Sequence, residues 1–327
     1  MEPRRKVLSI VGPSRSGSTI LSAVLGEVPG FFGAGELRWL WGRDLAEQRV
    51  CGCQTTPAAC PVWSRVVEQA MGVSPEEQSG PRLADALQPV VSAQREITRL
   101  SNRRRLLATP GADRRHSVAL DVLTEATVSV VDALLQTTGA HTLIDESKRP
   151  QEAAVLAAAG RFDHYVVHLV RDPRAVVHSW RRSKPLPAST GSAAMPRRGL
   201  PKTLMRWLEN CSGAEYLRPH IDPRRWLPVR YEDFAAHPRA TVQSILDMLE
   251  EDCEAPFTSD DTVVLGPNHY LSGNPSRFRT GPVRIVADSE WQTSLPRRQR
   301  LLVDVATLPF LLRYGYPVAG AALRRAS

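Results

Sequence analysis

Four groups of side chains in this sequence are of the types, at the spacings, that do chemistry on anions. The first is Gly12-Pro-Ser-Arg-Ser-Gly-Ser-Thr19, which follows the apolar run Val7–Val11 and leads into a helical pattern opening at Ser18 or Thr19. A strand, a tight loop and a helix start leave the N–H groups from Ser16 to Thr19 unpaired, and the helix dipole makes them a cradle for a phosphate. The loop nearly matches G-x-x-x-x-G-K-[ST], with Gly12, Gly17 and Thr19 in place. Its lysine is replaced by Ser18, and the cation is Arg15 inside the loop. Such a loop suits an anionic tail shorter than a triphosphate; its bland alternative is a glycine turn. The other groups are Glu36 after Phe31–Gly35, Lys148 closing His141–Lys148, and Arg171 closing Tyr165–Val170.

These side chains need strands to present them. Strand-like segments at 7–11, 31–36, 141–148 (running into a loop), 165–170 and 226–231, separated by helical patterns, predict a three-layer α/β fold with a mostly parallel central sheet. Ligands of such sheets lie beyond the strand C-termini, where all four groups fall. A carboxylate there suits a base, and Glu36 is also placed to complement a helix dipole over Leu37–Gln48. Helical patterns at Leu83–Leu107 and Val118–Leu135 predict an insertion spanning 83–138, placed to wall an acceptor cleft. Residues 184–201, rich in Pro, Ser, Gly and Ala, predict a flexible gating loop or disorder. One domain accounts for residues 1–327.

The motifs resemble those of the sulfotransferases that use 3′-phosphoadenosine 5′-phosphosulfate (PAPS). Pro13–Thr19 is similar to that family's 5′-phosphosulfate loop, and His168-Leu-Val-Arg-Asp-Pro-Arg-Ala-Val-Val-His-Ser-Trp180 to its 3′-phosphate loop. With Glu36, Lys148 and Arg230–Asp233 the likeness runs from about residue 7 to 235, and Asn268–Trp291 resembles the tail of bacterial members. The resemblance implies sulfuryl transfer from PAPS to an acceptor hydroxyl by in-line displacement, leaving 3′,5′-adenosine bisphosphate (PAP). Arg15, Ser16, Gly17, Ser18 and Thr19 would hold the phosphosulfate, and Arg171 and Ser179 the 3′-phosphate. In the tyrosylprotein branch a glutamate in a similar Gly-Glu context is the base, which assigns that role to Glu36. Lys148 and Arg15 would stabilise the departing phosphate. Tyr231 is either a nucleotide contact or core, and Arg277 and Arg279 lie in a stretch similar to the family's basic closing loop. The competing roles are an ion pair for Arg171 and a surface pairing with Asp145 or Glu146 for Lys148. The cytosolic branch uses a histidine as base, and His269 could reach the site.

Composition narrows the partners. The net charge of +8 favours anions, but the arginine clusters, Arg197-Arg198 among them, have no interleaved aromatics for stacking single-stranded bases and read as solvated faces, so no nucleic-acid partner is expected. No apolar stretch is long enough to span a bilayer and no signal segment is evident, which predicts a cytoplasmic protein. The reaction calls for no metal, and no obvious Mg²⁺ carboxylate stands out beside Thr19. Cys51-Gly-Cys53 with Cys60 is not the usual C-x₂-C pair and has no fourth ligand nearby in sequence; the cysteines read as reduced and partly buried, with metal binding or pairing as the alternative. The competing functions are an ATP-dependent phosphotransferase of the P-loop type and a non-catalytic basic nucleic-acid-binding protein.

Overall fold

The computed structural model describes residues 5–99, 106–107, 117–182 and 196–318. Five strands, β1 (Lys6–Val11), β2 (Phe31–Gly35), β3 (Thr142–Lys148), β4 (Asp163–Val170) and β5 (Trp226–Arg230), form one parallel sheet in the order β2-β3-β1-β4-β5. Strands buried on both faces read as continuous apolar runs, as β1 and β4 do. Val7, Val11, Leu143 and Val166 face one core, and Leu8, Ile10, Ile144 and Val167 face the other.

Helices α1 (Ser18–Leu25), α2 (Trp63–Met71), α3 (Pro81–Ile97), α4 (Val118–Thr138), α5 (Pro150–Ala159), α6 (Pro173–Arg181) and α7 (Leu200–Leu217) cover the sheet. After β5 come α8 (Tyr231–Ala236), α9 (Pro238–Met248), the antiparallel pair β6 (Thr262–Leu265) and β7 (Gly281–Arg284), then α10 (Trp291–Ser294) and α11 (Arg297–Arg313). The parallel α/β architecture is the predicted one. The insertion between β2 and β3 contains α3 and α4, which pack on each other, and also α2, which sequence reading did not anticipate. The expected helix over Leu37–Gln48 is instead a 3₁₀ turn, Leu37–Trp39, running into a π-helix, Leu40–Leu45. Within the predicted gating loop, residues 184–195 lie outside the described residues and Leu200 already opens α7.

Strand order positions the chemistry. Because β3 lies between β2 and β1, Lys148 at its end stands between Glu36 and the loop after β1. On the other side of β1, β4 brings Arg171 to that loop, and β5 brings Tyr231 beside Arg171.

Candidate active site

The loop after β1 takes a shape that its glycines make possible. Gly12 has φ +140°, and a Cβ there would lie 2.1 Å from the Leu169 carbonyl oxygen; its N–H donates to the Lys148 carbonyl at 2.9 Å. Gly17, at φ +85°, caps α1 and faces the Tyr231 ring, which an added Cβ would meet at 2.7 Å. Arg15 is itself left-handed, with φ 71°. Its guanidinium is buried over the Trp180 ring at 4.7 Å, and none of its three nitrogens has a hydrogen-bond partner among the described residues. The Ser16 hydroxyl is buried and unpartnered in the same way.

Arg171 joins the two predicted anion loops. Its Nη1 donates to the Arg15 carbonyl at 2.9 Å, and its guanidinium stacks on Tyr231 at 4.2 Å. Tyr231 therefore touches both loops, through Gly17 and Arg171. Nη2 of Arg171 lies 3.3 Å from the Asp288 carboxylate, so the ion-pair reading of this arginine also holds. Asp288 and Glu290 pair as well with Arg182. Asp172 caps α6 by accepting from the Arg174 N–H at 2.8 Å. Ser179 is buried on α6. Burial first, then repulsion from Arg198, Arg182 and Arg171, lowers the Arg15 guanidinium to about 10. Arg198, read from sequence as part of a solvated face, lies 3.8 Å over Trp180.

A second charged cluster lies at the ends of β2 and β3. Lys148 is buried, which overturns the surface reading, and its Nζ lies 2.8 Å from Glu36 and 3.6 Å from Glu146. Arg38 also pairs with Glu36, at 2.8 Å. Burial alone would raise the Glu36 carboxyl; Lys148 and Arg38 overcome it and hold the group at about 2. Glu146 is raised by burial against the pull of Lys148, and its Oε1 accepts from the Thr19 hydroxyl at 3.1 Å. A carboxylate thus does stand beside Thr19, which sequence did not make obvious.

The tail meets this cluster from the sheet edge. Leu271 accepts from the Glu36 N–H at 3.0 Å, and the Asn274 N–H donates to the Thr19 hydroxyl at 3.3 Å. Arg277 is buried near Asp44, Glu146 and Glu36 and donates to the carbonyls of Gly273 and Val50, whereas Arg279 is exposed. His269 does not reach Glu36 or Arg15: its Nδ1 lies 3.2 Å from the Cys60 sulfur. His164 and His168 are buried and lowered to about 4, hence neutral. Sequence reading missed Arg38, Trp180, Arg182 and Asp288; only the arginine-tryptophan run at 180–182 carried any local signal.

Residues 8–255 match the sulfotransferase family, and the chain belongs to it. Among solved structures it is similar to the sulfotransferase domain of the Synechococcus PCC 7002 olefin synthase, at 17% identity and TM-score 0.52 over 97% of each chain. It is also similar to the sulfotransferase domain from the curacin biosynthetic pathway, at 15% identity and TM-score 0.50, over 96% of this chain and 99% of that one. These likenesses show the fold. None of the curated proteins matches the sequence. No described helix is long and apolar enough to cross a membrane.

Proposed function

We propose that the chain transfers a sulfuryl group from PAPS to a hydroxyl acceptor. The observation that carries this reading is the buried Arg15, whose guanidinium has no hydrogen-bond partner among the described residues and whose carbonyl accepts from a second buried arginine, Arg171. Two adjacent cationic loops suit a nucleotide charged at both ends of its ribose. The unpartnered Ser16 hydroxyl and Arg171 Nε also fit such a guest. Arg15 to Thr19 would hold the 5′ end, Arg171 and Ser179 the 3′-phosphate, with Tyr231 between them. When bound, PAPS supplies an activated sulfuryl group on a phosphate leaving group.

The chain's own residues then have separable tasks. Glu36 Oε takes the acceptor proton, and Lys148 Nζ and Arg15 supply fixed positive charge where the leaving phosphate gains negative charge. In the free protein Glu36 is a weak base because Lys148 and Arg38 hold its charge. An anion that engages Lys148 loosens that hold and makes Glu36 more basic, so donor binding switches the base on. Tail arginine Arg277, buried beside these acids, would add to the field, while the exposed Arg279 is free to close over the nucleotide.

A small apolar cavity of about 30 Å³ lies beside Arg38, lined by Leu37, Trp41, Gln94, Leu123 and Val130. Gln94 comes from α3, and Leu123 and Val130 from α4, so the insertion borders the Glu36–Arg38 corner where an acceptor would enter; that position, rather than the size of the cavity, supports the reading of the insertion as the acceptor wall. Family membership favours this enzyme over the P-loop phosphotransferase and the nucleic-acid-binding alternatives. Transfer from ³⁵S-labelled PAPS to a panel of hydroxyl acceptors tests the proposal. Glu36→Gln should keep PAP binding and lose turnover by about 10²-fold or more. Full turnover in that variant removes Glu36 from the mechanism, and PAPS-independent or Mg²⁺-ATP-dependent transfer removes the proposal.

A further inference from the structure

Away from the anion loops, four side chains of metal-binding type converge. Cys51, Cys53 and Cys60 come from the loop before α2, and His269 from 209 positions beyond Cys60. The Cys60 sulfur lies 3.8 Å from that of Cys51, 3.7 Å from that of Cys53 and 3.2 Å from His269 Nδ1. All four donor atoms fall within 4.8 Å of one another. Tetrahedral zinc with bonds of about 2.3 Å to sulfur and 2.0 Å to nitrogen places two sulfurs roughly 3.8 Å apart and sulfur and nitrogen roughly 3.5 Å apart. The three separations from Cys60 are those of such a set, slightly closed at the histidine edge. They are far too long for a disulfide, whose sulfurs stand about 2.05 Å apart.

The surroundings hold the donors in place. Gln54, at φ 67°, donates its N–H to the Cys51 carbonyl at 2.8 Å and turns the loop between the first two thiols and the third. The Gly52 N–H donates to the Tyr270 carbonyl at 2.9 Å, and a Cβ on Gly52 would lie 1.9 Å from Asn268 Oδ1. Trp63 Nε1 donates to the His269 carbonyl at 2.7 Å, so both chain segments are fastened at the cluster. N–H groups of Val62 and Trp63 face the Cys60 sulfur.

We propose that Cys51, Cys53, Cys60 and His269 bind one Zn²⁺ as a closed structural site that clamps the tail segment 268–274 to the loop before α2. Four protein ligands leave no open position, which is the form of a structural rather than a catalytic zinc. The clamped segment carries the Leu271 carbonyl that receives the Glu36 N–H, the Ser272 hydroxyl bonded to Asp44 and the Asn274 N–H bonded to Thr19. The metal thereby sets the position of the candidate site without touching it. The fourth ligand lies 209 positions from Cys60, beyond the reach of any local spacing pattern.

The full chain, without a polyhistidine tag and grown with added zinc, tests this by elemental analysis and cobalt substitution. It should carry about one zinc per chain, and Co²⁺ in its place should give thiolate charge-transfer and tetrahedral d–d bands. Cys53→Ser and His269→Ala, both at half-buried positions, should bring the zinc content to near zero, while His269→Cys, which restores a four-thiolate set, should retain it. Chelation should lower Tm and zinc should restore it. Folded protein that carries no zinc and gives no cobalt bands overturns the proposal, as does a disulfide among these cysteines found by non-reducing mass spectrometry.

Discussion

Replacing Lys148 by Met removes one of the two cations that hold Glu36, each at 2.8 Å. At 2.8 Å, with an effective dielectric of about 20, the gross attraction is about 6 kcal/mol, from which the burial of both groups must be subtracted. The net follows from the carboxyl's position: it is held at about 2 against an ordinary 4.5, which corresponds to about 3 kcal/mol of preference for the ionised form. Because the folded value is depressed, that stability is fully present above pH 4.5 and is lost as pH falls through about 2. At pH 7 Lys148→Met should therefore cost up to about 3 kcal/mol, less the part of the hold on Glu36 that Arg38 retains. Glu36→Gln should also destabilise, since it leaves Lys148 buried with only Glu146 at 3.6 Å. In the double variant neither charge is stranded, so urea denaturation of all four proteins should give a coupling energy of about 2 kcal/mol or more. Single losses that add to within about 0.5 kcal/mol would refute the pairing and, with it, the switch assigned to Glu36.

Two further outcomes follow from the charges. Burial pushes Asp145 up to about 7, opposed by the Ser147 hydroxyl and N–H, so the unfolded chain releases a proton that the fold keeps between about pH 4 and 7, and stability falls as pH rises. Asp145→Asn should flatten that fall by about 3 kcal/mol between pH 5 and 8; the difference from the parent is the readout, because His164 and His168 act in the opposite direction below pH 6.5. Asp288→Asn releases a half-buried carboxylate from Arg171 and Arg182, pairs worth about 0.2–1 kcal/mol each, and should tighten PAP binding roughly 5-fold by calorimetry. Weaker binding would mean that Asp288 orients Arg171 rather than competing for it.

Much of the fold was legible because its signals are local. Val7–Val11 and Tyr165–Val170 are unbroken apolar runs bounded by polar loops, and Gly12 and Gly17 mark a backbone that other residues would strain. The placement of Glu36, Lys148 and Arg171 after strands followed from the rule for parallel sheets. Strand order was not legible: nothing near Thr142–Lys148 says that it inserts between the first two strands, yet that insertion pairs Lys148 with Glu36. Contacts between distant segments were hidden for the same reason. Asp288 meets Arg171 across 117 positions, and His269 meets Cys60 across 209. Trp63–Met71 gave little signal because nine residues offer only about two and a half turns of helical periodicity.

The most direct test of the central claim is calorimetric titration of the full chain with PAP, with 5′-AMP and with ATP. If the loops carrying Arg15 and Arg171 hold one nucleotide by both of its ends, PAP should bind about 10-fold or more tightly than either of the others, and Arg171→Ala should abolish that preference. Equal affinity for all three, or a preference for ATP that Arg171→Ala leaves intact, would contradict it.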